Sequence, residues 1–159
     1  MSKAKDKTNV MRKLDQKKIA YIPFSYETDG SSTGLDVAKL LGKDDKMVFK
    51  TLVTQGKSKE HYVFVIPVAK ELNLKKASQA VGEKSIAMVK SKELLDLTGY
   101  IHGGCSPIGM KKFFKTSFDM SAKDLEKIVF SAGKIGYQVE VSVGDLEKII
   151  KYQFFDLCD

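Results

Sequence analysis

Residues 99–109 (GYIHGGCSPIG) constrain this chain of 159 residues more than any other stretch. Gly99, Gly103, Gly104 and Gly109 fall within it, with Pro107 between the last two. No apolar periodicity runs through it, so it is neither a buried helix nor a plain strand. Glycines cluster in this way where the backbone needs positive φ or must come close to another group. Two adjacent N–H groups, at Gly103 and Gly104, can form a concave donor site for a carbonyl oxygen or a phosphate. A purely structural crossover loop would use the same residues, and the segment alone leaves both readings open.

The rest of the chain reads as short elements around this loop. Residues 1–8 are expected to be a flexible basic arm, with Asn9 capping a helix over VMRKLDQKK. Residues 21–26 (YIPFSY) are strand-like, and Pro23 confines them to an edge or a bulge. Residues 27–33 (ETDGSST) form a loop, and 34–41 (GLDVAKLL) a helix ended by Gly42. Two strands, 47–54 and 61–68, flank a turn at 56–59. Asn73 and Gly82 bracket a helix over 72–81, followed by a short strand at 85–89 and a helix over 91–98 that Gly99 stops. Beyond the glycine loop, 112–118 and 127–130 read as strands. SAGKIG (131–136) reads as a hairpin turn, YQVEV (137–141) as the returning strand, and Ser142 as the cap of a final helix, VGDLEKIIKY. Six to eight strands and four or five short helices in mixed order, without repeat or linker, imply one mixed α/β (α+β) domain over 1–159, built on a curved, barrel-like sheet.

Composition removes several classes of function. The longest apolar run, residues 62–69, is too short to span a membrane and is interrupted by Pro67. The N-terminus is charged and lacks the apolar core of a secretion signal, so a cytoplasmic location is expected. Cys105 and Cys158 are too few for a disulfide framework. With only His61 and His102, a metal site would need unusual help from carboxylates, so neither metal nor cofactor is expected. Walker and dinucleotide-binding glycine motifs are missing. The balance of 27 Lys+Arg against 20 Asp+Glu, a net +7, favours polyanionic partners. Only Arg12 is an arginine, so nucleic-acid contact should follow the phosphate backbone and not the base edges.

Lys50, inside VFKTLV, is the most unusual charged residue. Strand alternation places it on one face with Val48 and Leu52, so its ammonium must reach either solvent or a cleft. Cys105 lies three residues from His102, but no orienting carboxylate accompanies them, which makes a nucleophile–base pair weak. His61 reads as a surface residue. Asp36, Glu71, Asp96, Asp145 and Glu147 read as solvated faces of helices.

VFKTLV around Lys50, GGCSPIG at 103–109 and SAGKIG at 131–136 together resemble the YbaK/EbsC family, the free-standing Cys-tRNA(Pro) deacylases of the prolyl-tRNA synthetase editing-domain superfamily. The resemblance runs from about Asn9 to the C-terminus and includes NVMRKLDQKKI, LNLKKASQAVG and TGYIHGGCSPIGMKK. It implies a barrel-like sheet flanked by helices and removal of a wrong amino acid from charged tRNA. It assigns catalysis to Lys50 and to the backbone of Gly103. Substrate contacts fall on Tyr26, Thr33, Thr51, Gly104, Ser106, Pro107, Ser131 and Gln138. Thr33 stands where some members carry an aromatic residue, and Gln138 where some carry an acidic one, which bears on amino-acid selectivity. For cysteine the resemblance implies that the substrate's own thiol attacks its ester and leaves as a cyclic thiolactone, a lyase-type outcome. The implied partners are the 3′ aminoacyl end of a mischarged tRNA and prolyl-tRNA synthetase, with no DNA and no membrane. Deacylation of another small amino acid such as alanine, or a non-catalytic module binding tRNA or a synthetase, are the alternatives.

Overall fold

The computed structural model describes residues 6–159, so most of the expected basic arm lies outside the described residues. Helix α1 spans Asn9–Gln16, and its cap is Thr8, not Asn9: the Thr8 side chain accepts the Met11 N–H. Both residue types cap well. The buried stripe of Val10, Met11 and Leu14 fixes where the first turn must begin. In chain order follow β1 (Tyr21–Ser25), α2 (Gly34–Leu41), β2 (Phe49–Gly56), β3 (His61–Pro67), α3 (Leu74–Val81), β4 (Ile86–Met88), α4 (Ser91–Thr98), β5 (Lys115–Asp119), β6 (Lys127–Ser131), β7 (Tyr137–Ser142) and β8 (Tyr152–Phe155). Thr33, Asn73, Gly42, Gly82 and Gly99 stand at the helix ends where cap chemistry places them.

The C-terminal segment departs from the sequence reading. Residues Val143–Lys148 form only a 3₁₀ turn, and Ser142 makes no side-chain cap bond. The chain then runs on as β8, parallel to β5. A four-residue aromatic run carries little periodic signal. What selects the strand is tertiary packing: Tyr152 packs against Phe118, tilted, and against Phe154, edge to face, with ring centroids 4.8 and 5.1 Å away.

The strands form two sheets, not a closed barrel. An antiparallel sheet has the order β1-β7-β6, and a mixed sheet the order β4-β2-β3-β5-β8. Pro23 lies on the outer strand β1, opposite Val139. The Tyr26 N–H bonds to Gly136 O at 3.0 Å, so even-numbered residues here face β7 and the proline nitrogen faces outward. A parallel bridge between Val48 and Val129 stitches the two sheets together.

The pairing of β2 positions the site. Val68 N–H bonds to Val48 O at 2.8 Å and Gly56 N–H to Glu60 O at 2.8 Å, so the even-numbered residues of β2 bond to β3. The odd-numbered residues turn their backbone groups the other way. On that side β4 pairs only with Thr54–Gly56, extended by Val89 N–H to Val53 O at 3.1 Å. At the other end Val129 N–H reaches Met47 O at 2.8 Å. Between these two anchors the edge of β2 around Thr51 is left without a strand partner. Three apolar clusters meet there: Phe49 and Val53 belong to the main core, Val48 to the core under α2, and Leu52 packs on the core under α3.

Candidate functional site

The gap along β2 opens into a cavity of about 260 Å³. Its floor is the strand itself, from Phe49 to Val53. One wall comes from the loop before α2 and the first residue of that helix, another from Met88, Val89 and Leu94. His102, Gly103 and Cys105 of the glycine loop close it, together with Ser131, Ile135 and Gln138 of the β6–β7 hairpin. Tyr26, Thr33, Lys50, Thr51, Gly103, Ser131 and Gln138, all singled out in the sequence, line this one space although they are spread over a hundred residues.

Lys50 resolves the choice between solvent and cleft by doing both. Its side chain keeps 28% exposure, borders the cavity, and sets Nζ 3.7 Å from Glu71 Oε1. Glu71 is not on a helix face as read from sequence. It stands in the connection between β3 and α3, and at 95% side-chain exposure it holds Lys50 only loosely. Thr51 Oγ1 is buried and has no hydrogen-bond partner. Gln138 Nε2 donates to Tyr26 Oη at 3.2 Å, and burial raises the Tyr26 phenol above its usual range, so it stays neutral. Ser131 Oγ accepts the Gly133 N–H at 3.1 Å and shapes the SAGKIG turn. Thr33 is committed to α2: its Oγ1 accepts the Asp36 N–H at 3.1 Å, and its own N–H donates to the Asp36 carboxylate at 2.9 Å.

The glycine loop differs from the two-donor site considered from sequence. Gly104 N–H donates to Ile101 O at 3.0 Å within its own turn and is not available to a ligand. Gly103, at φ +89°, makes that turn possible. Gly104 is needed for another reason: a Cβ there would lie 3.1 Å from Ile135 N and 3.4 Å from Lys134 C, so only glycine lets the loop rest on the hairpin backbone. Ser106 and Pro107 are buried behind the lining, and Ser106 Oγ accepts the Ile108 N–H at 3.3 Å. Gly104, Ser106 and Pro107 therefore hold the loop in place and do not face the cavity.

Cys105 does face it, yet burial pushes its thiol up to about 12, so it is protonated at neutral pH. No hydrogen bond joins it to His102, which sits exposed at the rim. No carboxylate lines the cavity among the described residues. Sequence reading passed over Gly34, whose Cβ would collide with Val68 Cγ1 at 2.5 Å. It also passed over Met88, Val89 and Leu94, which carry no polar signature. A glycine directly after a capping threonine was the one available hint.

Residues 28–149 match the family model of the aminoacyl-tRNA editing domain. The chain belongs to that family. Over 156 residues this editing domain is 40% identical to the Enterococcus faecalis protein named as a Cys-tRNA(Pro)/Cys-tRNA(Cys) deacylase, EbsC, covering 98% of this chain and 95% of that one. It is 30% identical over 112 residues to the proline–tRNA ligase of Kosmotoga olearia, covering 70% of this chain but 19% of the ligase. A crystal structure described as a trans-editing enzyme for prolyl tRNA synthetase superimposes with a TM-score of 0.81 at 19% identity, over 97% of this chain and 99% of the other. The structure of hypothetical protein APE2540 does so with a TM-score of 0.81 at 21% identity, over 93% and 99%. Those two likenesses concern the editing-domain fold. Among the described residues of this editing domain no helix is long and apolar enough to cross a membrane.

Proposed function

We propose that this editing domain is a trans-editing deacylase that removes cysteine from Cys-tRNA(Pro), acting in the cytoplasm as a single domain over the whole chain. The observation that carries the reading is a small cavity that brings Lys50 and the Gly103 loop together at an open strand edge, with no activated nucleophile beside them. The extended likeness to the Enterococcus protein supports cysteine as the amino acid. At about 260 Å³ the space suits an aminoacyl group better than a whole nucleotide. Lys50, still partly solvated, holds the terminal phosphate or the carbonyl end of the ester by charge.

Cys105 is a buried, protonated thiol and no nucleophile, and in this reading the attacking atom comes from the substrate. The cysteine sulfur bonds to its own ester carbonyl carbon, and the carbon–oxygen bond to the terminal ribose breaks. The thiol proton passes to the departing ribose oxygen, and a thiolactone leaves for water to open. The cavity's contribution is to fold the substrate into attacking geometry. Lysine-rich charge brings in the tRNA backbone, and prolyl-tRNA synthetase hands over the mischarged product. The test compares Cys-tRNA with the same tRNA carrying S-methylcysteine, which keeps the bulk and removes the attacking thiol. The S-methyl ester should persist. Equal rates on both would point to an activated water instead.

A further inference from the structure

An unpaired strand edge on the floor of a cavity is a binding element in its own right, because its N–H and C=O groups lie in fixed alternation. Within β2 the Phe49 N–H is taken by the bridge to Val129, and the Val53 C=O by Val89. Thr51, an odd-numbered residue between them, turns both its N–H and its C=O into the gap, where no strand among the described residues pairs with it. Its buried Oγ1 is also without a partner. The buried, unpartnered Oγ1 and this open backbone edge thus border a space that Phe49, Val53 and Leu94 keep apolar. Unmatched buried polar groups are expensive unless a ligand completes them.

We infer that Thr51 pairs with the aminoacyl group as one strand residue pairs with another across an antiparallel ladder. The inference rests on the deacylase reading above. The ligand's α-amino group donates to the Thr51 C=O, and its ester C=O accepts from the Thr51 N–H. This is the two-bond exchange of a hydrogen-bonded residue pair. The carbonyl that gains negative charge during attack then faces a fixed backbone donor, the part that Gly104 cannot play because its N–H is held by Ile101. Residues opposite each other in such a pair put their side chains on the same face. An L side chain therefore lands on the face of Thr51, toward Val53, Leu94 and Cys105, and a D side chain on the face of Lys50.

The test replaces Thr51 by its α-hydroxy acid analogue in the full chain, which removes the N–H and leaves the side chain intact. kcat on Cys-tRNA should fall about 10²–10³-fold with KM little changed. The same replacement at Thr54, whose N–H bonds to β3, should leave kcat within about twofold at a similar loss of stability. Wild-type protein supplies two arms free of folding effects. A tRNA carrying 3-mercaptopropionate, which lacks the amine, should react about 3–12-fold more slowly in kcat/KM than Cys-tRNA. The Thr51 amide proton should become protected from exchange when 3′-amide-linked cysteinyl-adenosine binds. Undiminished kcat in the Thr51 analogue, equal rates with and without the amine, or an unchanged Thr51 amide would each overturn the pairing. If wild-type protein leaves Cys-tRNA intact, the deacylase reading fails, and amide protection by the adenosine conjugate still decides the pairing.

Discussion

Replacing Gly104 by alanine tests whether the glycine loop is held by contact with the hairpin. The new Cβ would sit 3.1 Å from Ile135 N, 3.4 Å from Lys134 C and 3.5 Å from Ile135 Cγ1. Comfortable carbon contacts begin near 3.5 Å, and two of these three atoms are backbone, which cannot rotate out of the way. Loop and hairpin must then separate by a few tenths of an ångström. Overpacking of this kind costs about 1–3 kcal/mol. Both segments are turns and not core strands, so the lower half of that range applies, and Tm should drop by roughly 2–8 °C for a domain of this size. Gly103 and Cys105 move with the loop, and kcat on Cys-tRNA should fall several-fold, since a misplacement of about 1 Å costs about 10². Adding Ile135→Ala removes only the Cγ1 contact, so it should not rescue the variant. Thermal melts and deacylation rates on Gly104→Ala, Ile135→Ala and the double variant check this. Rescue by Ile135→Ala, or an unchanged Tm with full activity, would refute the backbone-contact argument.

Lys50→Ala should melt close to wild type, because its ion pair with exposed Glu71 is loose, yet lose at least about 100-fold in kcat/KM. Lys50→Arg should not restore it, since a planar fork is a poor substitute for a compact ammonium. Cys105→Ser should keep most of the activity, and mass spectrometry of wild-type protein during turnover should find no acyl-enzyme. Burial raises the Cys105 thiol from 9.0 to about 12, so the folded chain holds a proton that the unfolded chain releases earlier. The resulting stability is complete below pH 9 and should be lost as pH rises from 9 through 12, as alkaline unfolding curves would register. If about 3–5 phosphates are neutralised, log affinity for tRNA should fall against log salt with a slope of about −2 to −4, little altered between tRNAs of different sequence.

Local chemistry made most of the fold legible. Asn73 before a helix, Gly42, Gly82 and Gly99 after helices, and Pro23 in an apolar run each act within a residue or two of their own position, so their meaning survives without tertiary contacts. The strand β8 was not legible, because its stability comes from Phe118, more than thirty residues earlier. At the site, Lys50 stood out as a charge among aliphatic neighbours. Glu71 did not, because the turn that brings it to Lys50 has no sequence signature of its own. Gly103 and Gly104 looked alike in the sequence. One supplies a positive φ and the other a close approach, and only the hairpin beneath them separates the two roles. The open edge at Thr51 follows from where β4 and β6 stop pairing, which no residue type announces.

The outward-facing nitrogen of Pro23 matters before the protein is complete. Strand β1 is synthesised over a hundred residues ahead of β7, the strand it pairs with. At about 5–20 residues per second the nascent chain carries β1 unpaired for roughly 5–20 s. Neighbouring chains on one message would then present identical apolar segments to each other. A proline in the middle of the segment removes a donor from the very edge along which two such copies would zip together. Replacing it with valine would leave the finished ladder to β7 intact, and the damage would appear during translation, as aggregate on crowded messages.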